Sequence, residues 1–304
     1  IEAMRKEGYD DGFSAAITAG SAVIGPIFPP SIPLVIYGVI AGASIGNLFL
    51  AGMVPGIILA LALCIYVCYI ANKRNYPSGK RYAGMEFVRM TVSAIPALLT
   101  PVILLMGIYT GIMTATEAGA VAALYALIIS VFAYRSITLP EFMQVLKNTV
   151  RSTGQIGIML GAAYVFSYVI AVENLPSLAG SLILSFATTK VSFLIFVNIL
   201  LFILGMLLDS AVLQLVLLPI LCPIAQSFGI DMVHFGVVFT LNTMIGLCTP
   251  PFGMLLFIVT GISGEKMNTI IKEIMPMVFV MVLVLILVTF VPDVIMWLPR
   301  LFGR

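Results

Sequence analysis

Two short stretches carry most of the chemistry available to this chain. GPIFPPSIP, residues 25–33, and GLCTPPFG, residues 246–253, each set a Pro-Pro doublet a few residues after a glycine, inside an apolar run. Proline has no N–H and clashes with the carbonyl one turn back. Pro29–Pro30 and Pro250–Pro251 therefore leave backbone oxygens without helical partners. Thr249 directly precedes the second doublet and Ser31 directly follows the first, each adding a hydroxyl. Neutral carbonyls and hydroxyls suit a weakly held monovalent cation, whereas divalent ions prefer clustered carboxylates, and no two acids are spaced to form a cluster. Sodium is the cation expected at the breaks. A proton carried by Asp209 is the alternative.

Ionisable residues inside apolar runs are functional candidates by default. Asp209, in GMLLDSAVLQL, is the only Asp, Glu, Lys or Arg between Lys190 and Asp231. With Ser210 it reads either as part of a re-entrant hairpin or as a mark of the membrane boundary. Glu117, in TATEAGA, stands alone between Arg89 and Arg135, and reads as a helix cap or as a transport residue. Hydrolytic chemistry has no support. The single histidine, His234, excludes a two-histidine metalloprotease motif within this chain, and no GxSxG occurs. His234 is expected at the membrane interface. The four cysteines, Cys64, Cys68, Cys222 and Cys248, lie among apolar residues and are expected to be small buried hydrophobes. A channel would need a ring of ligands from several subunits, whereas here two breaks pair within one chain.

The elements that hold these residues must be membrane helices. Of the 304 residues 61% are hydrophobic and 9% charged, and mean hydropathy is +1.17. Soluble domains carry about 25% charged residues. No Asp, Glu, Lys or Arg occurs from Gly12 to Asn72. The patterning predicts a broken span over 12–42, a span over 49–72, and two apolar stretches over 96–134. An amphipathic connector at 138–151 precedes a span at 153–172, with a short stretch at 178–189. Then come a span at 191–207, an interrupted segment at 209–228, a second broken span at 232–261 and a final span at 275–298. Lys73, Arg74, Lys80, Arg81 and Arg89 form one basic loop and Arg135, Lys147 and Arg151 another, and both are expected in the cytoplasm. The net charge of +2 gives no reason to expect a nucleic-acid partner; the lipid bilayer is the expected surrounding. The opening IEAMRKEGYDDGF does not read as a signal peptide, and further spans are expected upstream of it.

The two breaks are related. Residues from Met4 align with residues from Ala225 at a constant offset of 221, Gly8 to Gly229, Asp10 to Asp231, Gly25 to Gly246 and Pro29 to Pro250. Paired Gly/Pro-interrupted spans in two halves of a chain point to a secondary-transporter binding site, because broken backbone at membrane depth must line a cavity or be buried in protein. Hydropathy leaves open whether the repeats are parallel or inverted, since this depends on whether 178–189 crosses; inversion is the expectation.

GYDDGFSAAITAGSAVIGPIFPPSIPLVIYG, SIGNLFLAGMVPG, TATEAGAVAALYAL, GMLLDSA and DMVHFGVVFTLNTMIGLCTPPFGMLLF occur in the order seen in the large membrane subunit of tripartite ATP-independent periplasmic (TRAP) transporters, and WLPRLFGR resembles that family's C-terminal end. The one visible departure is TATEA where the family usually has TPTEA. The resemblance implies an all-α integral membrane protein, an inverted-repeat elevator-type transporter with re-entrant hairpins and two discontinuous helices. It implies sodium-coupled uptake of a carboxylate-bearing solute, such as a C4-dicarboxylate or a sialic-acid-like acid, across the bacterial inner membrane. A periplasmic solute-binding (P) protein and a small membrane (Q) subunit are the implied partners. Gly25, Phe28 and Pro30 would offer backbone oxygens to one sodium, with Gly205, Gly246, Thr249 and Phe252 around a second. Asp209 and Ser210 would belong to the second hairpin, and Ser31, Pro250 and Pro251 would lie near the solute. The expected organisation is a first-repeat broken helix in 1–47, a scaffold span and cytoplasmic loop in 48–95, and scaffold and second-repeat entry spans in 96–190. A second-repeat hairpin and broken helix would fill 191–261, and a C-terminal span 262–304.

Overall fold

The computed structural model describes residues 1–77, 84–173, 183 and 187–302. These are helical, with no strand among the described residues. The helices are α1 Glu2–Lys6, α2 Asp11–Ala22, α3 Ile32–Ala41, α4 Ile45–Lys73, α5 Gly84–Tyr109, α6 Ala115–Ile128 and α7 Leu139–Val172. They continue with α8 Lys190–Gly205, α9 Ser210–Ser227, α10 Met232–Gly246, α11 Met254–Ser263, α12 Met267–Phe290 and α13 Asp293–Phe302. Six helical segments among the described residues are long and apolar enough to cross a bilayer, including α4, α5, α9 and α12. The chain is thus a multi-pass membrane protein. The shorter helices α2 and α3, and likewise α10 and α11, are separated by the segments in which the two Pro-Pro doublets fall.

The chain forms two compact units, Ile1–Gly79 with Val169–Arg304, and Lys80–Tyr168. The first unit holds both breaks. In it α2, α3 and α4 correspond to α10, α11 and α12, and their packing is reciprocal: α2 meets α12 as α10 meets α4, and α2 meets α11 as α10 meets α3. The repeat extends to detail. Asp10 and Asp231 are the N-cap residues of α2 and α10, and Gly8 and Gly229 both turn the preceding chain through positive φ, +88° and +66°. Close approach rests on small residues, as between helices in lipid generally. A methyl group at Gly12 would lie 2.7 Å from Thr269 Cγ2 of α12, and one at Gly20 3.2 Å from Met277 Sδ.

At one end of this unit Arg74, which ends α4, makes two hydrogen bonds to Glu273 near the start of α12, at 2.9 and 2.8 Å. It also reaches Asp10 at 3.3 Å, and Tyr76 donates to the same carboxylate. The bond to Glu273 holds the guanidinium charged well above its ordinary pKa. Elsewhere His234, in the first turn of α10, donates from Nε2 to Val288 O, close to the end of α12, at 3.0 Å.

In the second unit α5 packs on α6, with Tyr125 of α6 donating to Pro96 O at 3.0 Å. Thr114 and Glu117 form a capping box at the start of α6: Glu117 Oε2 accepts from the Thr114 amide at 2.8 Å and from its hydroxyl at 2.9 Å. Glu117 is therefore a helix cap by geometry.

Four expectations change. The connector at 138–151 and the span at 153–172 are one continuous helix, α7. The final span starts at Met267 and stops at Phe290, because Pro292 cannot continue it, and α13 is a separate helix. His234, expected to face the membrane interface, is buried within the protein, where its ring finds the Val288 carbonyl. Cys64 and Cys68 are exposed on the outer face of α4, where a membrane helix also carries apolar residues; Cys222 and Cys248 are buried as expected. The stretch 178–189 falls mostly outside the described residues, as do Lys80 and Arg81 of the first basic loop.

Candidate ion and solute site

The first break spans the residues between α2 and α3. Amides of Ile27 and Phe28 still bond back to Ile24 O, at 3.1 and 2.9 Å, but Pro26, Pro29 and Pro30 supply no donors and the ladder stops. Ser31 closes the gap from both sides. Its Oγ accepts from the Leu34 amide at 3.2 Å, capping α3, and its hydroxyl donates to Pro26 O. Helix α4 lies against the break through glycines: a methyl at Gly52 would stand 2.5 Å from Ile27 O, and one at Gly56 3.0 Å from the Phe28 ring. Gly25 and Pro30 are exposed, and Phe28 is half-buried. The first predicted set thus sits on a single loop, braced by α4.

The second break follows α10. Thr249 is 4% exposed and its hydroxyl donates to Ile245 O at 2.8 Å, which leaves the oxygen lone pairs free to accept. The Leu255 amide reaches back to Leu247 O at 3.0 Å, fastening the loop to α11. Gly253 adopts φ +47°, and a side chain there would meet Thr249 O at 2.8 Å, so this corner needs glycine. Its amide donates to Met206 O at 3.0 Å. That bond ties the break to the turn between α8 and α9.

The turn itself comes from sequence. After Gly205 the chain leaves α8, and Asp209 starts α9 by accepting from the Ala211 amide at 2.8 Å. Ser210 Oγ lies 3.0 Å from Thr243 Oγ1 of α10. Gly205 and Gly246 bring the backbones of α8 and α10 together: a methyl on Gly246 would lie 2.6 Å from the Gly205 carbonyl carbon. Gly205, Met206, Leu207, Leu208, Leu247 and Phe252 line a cavity of about 190 Å³ beside this contact. Of the second predicted set, Gly205, Gly246 and Thr249 therefore meet around one turn, with Asp209 and Ser210 at its far side. Phe252 is 57% exposed at the cavity edge, and Pro250 and Pro251 carry the loop outward.

Several contributors were not picked out from sequence. Gly52 and Gly56 follow a small-x-x-x-small spacing that could have suggested a packing face. Met206 contributes only a carbonyl, which no side-chain pattern reveals. Cys248 Sγ donates to Ala19 O at 3.3 Å and joins the two interrupted helices directly. Asn242 of α10 donates to both oxygens of Asn198 of α8, Oδ1 at 2.7 Å and the main-chain O at 2.9 Å.

Such an arrangement offers oxygens for a monovalent cation and the positive ends of α3, α9 and α11 for an anion, with the Asp209 carboxyl group at the hairpin turn. A family model described as "Tripartite ATP-independent periplasmic transporter, DctM component" matches residues 1–294. The chain is 40% identical over 302 residues to the sialic acid TRAP transporter large permease protein SiaM of Vibrio cholerae, covering 99% of this chain and 71% of that protein. It is 38% identical over 301 residues to the sialic acid TRAP transporter permease protein SiaT of Haemophilus influenzae, of which it spans 49%. Identity to the C4-dicarboxylate TRAP transporter large permease protein DctM of Pseudomonas aeruginosa is 35% over 303 residues, 71% of that protein.

Proposed function

Because the chain belongs to the DctM component family of tripartite ATP-independent periplasmic transporters, we propose that it serves as a membrane permease coupling sodium entry to uptake of a carboxylate-bearing organic solute. The observation that carries this reading is the second break: a loop in which Thr249 is buried and which is held against a hairpin turn by the Gly205–Gly246 approach and the Gly253–Met206 hydrogen bond. Sodium would sit among the oxygens of Gly205, Gly246, Thr249 and Phe252, and in the first break among those of Gly25, Phe28 and Pro30. The solute carboxylate would meet the helix ends at Ser31, Asp209–Ser210 and Pro250–Pro251, since no Lys or Arg lies in either break.

The repeats are read as inverted. In support, the start of α2, through Asp10, shares a charge cluster with the end of α4 and the start of α12. The start of α10, through His234, instead touches the end of α12, and Gly236 of α10 lies against Leu48 near the start of α4. Helices α2 and α10 would then run in opposite senses. The hairpins and the two broken helices would move as one elevator body in the bacterial inner membrane, held by a scaffold that includes α4. A small membrane subunit would complete the scaffold, and a periplasmic binding protein would deliver the solute. The relatives' names suggest a sialic-acid-like acid or a C4-dicarboxylate as the class of solute.

Thermal unfolding in detergent, in sodium against equal potassium or choline, tests this. A ligand that binds only the folded state raises stability by RT ln(1 + [L]/Kd). A sodium-specific rise that shrinks in Thr249→Ala is the expected result. Equal midpoints in all three salts would remove the sodium sites and turn attention to protonation of Asp209.

A further inference from the structure

Among the described residues, Gln214 is fully buried with neither amide atom hydrogen-bonded to protein, and Thr240 Oγ1 is buried in the same condition. Both stand next to the site. Gln214 lies one turn beyond Ser210 on the same face of α9, and Thr240 lies one turn before Thr243 on α10. Ser210 and Thr243 touch, at 3.0 Å. The two helices are joined by the short link 228–231 and pack on each other, so they run antiparallel and their next turns fall opposite one another. Gln214 and Thr240 thus continue the Ser210–Thr243 seam inward from the hairpin turn.

An apolar seam would be cheaper to bury. Buried polar atoms are nearly always paired, and exceptions call for an explanation such as a bound species. The chemistry of the seam restricts that species. Gln214 Nε2 can only donate and Oε1 can only accept, so a partner must both accept and donate. A bare cation leaves Nε2 unpaired. A second carboxylate would enter a seam with no cation to neutralise it, at high desolvation cost. A neutral hydroxyl or amide group satisfies both atoms, and a water can hold the same place until the solute arrives.

We propose that Gln214 and Thr240 are specificity-determining contacts that read the hydroxyl- or amide-bearing portion of a monocarboxylate whose acid group rests at the Ser210 end of the seam. This inference depends on the carboxylate-transport reading above. Access comes from the hairpin arm. Pro219 removes the N–H that would bond Leu215 O, which weakens α9 one turn past Gln214; on this proposal the segment from Ser210 would part from α10 there to admit the solute.

The test uses the full-length permease in detergent with sodium present, following thermal midpoints against N-acetylneuraminate, D-gluconate, succinate and hexanoate. At least one hydroxylated monocarboxylate is expected to bind about tenfold or more tightly than succinate and hexanoate. Gln214→Leu and Thr240→Val are expected to remove that preference while keeping the sodium-dependent shift. Gln214→Leu should also raise the midpoint without solute, since it removes two unpaired buried atoms. Tighter binding of succinate, or a hydroxyl preference that survives both substitutions, overturns the inference but leaves carboxylate transport standing. If none of the four acids shifts the wild-type midpoint, the carboxylate reading fails and this inference fails with it. If Gln214→Leu does not fold, Gln214→Met and Thr240→Val carry the same comparison.

Discussion

Gly246→Ala is the sharpest probe of the hairpin-to-break contact. The added methyl would lie 2.6 Å from the Gly205 carbonyl carbon, 2.7 Å from its Cα and 3.0 Å from its oxygen. Carbon atoms pack at about 3.5–4.0 Å. All three obstacles are backbone atoms, so no rotamer change relieves them, and α8 must retreat from α10 by roughly 1 Å. Overpacking of this kind costs about 1–3 kcal/mol. At about 2–4 °C per kcal/mol for chains of 150–250 residues, the apparent midpoint should fall by roughly 2–12 °C at a fixed scan rate. The retreat also lengthens the Gly253–Met206 hydrogen bond, so the sodium-dependent shift should weaken together with stability. Gly205→Ala should be milder, because its nearest obstacles stand at 3.3 Å. Gly119→Ala on α6 meets nothing within 4 Å and should be neutral or slightly stabilising. The assay is thermal unfolding of the four proteins in sodium and in choline. If Gly246→Ala unfolds at the wild-type midpoint with its sodium response intact, the packed hairpin contact does not organise the site.

Other expectations follow from single contacts. Glu273→Gln removes the charge and one of the two oxygens that accept from Arg74 in a partly exposed setting, so thermal unfolding should show a loss of about 1 kcal/mol that shrinks at high salt. Asp231→Ala removes the cap that accepts from the Val233 and His234 amides at 2.7 and 3.2 Å, and should cost about 1 kcal/mol by the same measurement. Asp10→Ala removes no such cap, since Asp10 bonds Arg74 and Tyr76 instead, so its cost should vary with salt where that of Asp231→Ala does not. Asp10→Cys and Asp231→Cys, each in a chain without other cysteines, should react with an impermeant maleimide from opposite faces of sealed vesicles. Reaction from one face only would end the inverted reading.

Much of the fold was legible because membrane helices announce themselves by composition. The breaks at Pro29–Pro30 and Pro250–Pro251 and their repeat could be read directly, since proline acts through its own missing N–H wherever it stands. The start of α12 was misplaced because Lys272 and Glu273 look like loop residues, yet Glu273 is held in the helix by Arg74, 199 positions away in sequence. His234 was placed at the interface for a similar reason: its partner is a carbonyl of another helix. The residues of the second break could be named from resemblance, but the closure of that break by Met206 O, Gly253 N and the Gly205–Gly246 approach could not. Those are backbone contacts between distant segments, and side-chain types do not encode them.

The two matching segments also differ at particular positions. Gly8 and Gly229 turn the chain in the same way, and Asp10 and Asp231 open equivalent helices. Asp231 caps its own helix, while Asp10 leaves its amides and joins Arg74, Tyr76 and, through Arg74, Glu273. The counterpart of Glu273 at the same offset is Gly52, whose lack of a side chain lets α4 reach the first break. One position in the repeat therefore serves charge pairing in one half and close backbone packing in the other. The charged cluster fastens the start of α2 to α4 and α12, whereas the start of α10 is held by neutral bonds, His234 to Val288 O and Tyr37 to Met232 O at 2.8 Å. On the inverted reading these are opposite ends of the unit that holds both breaks.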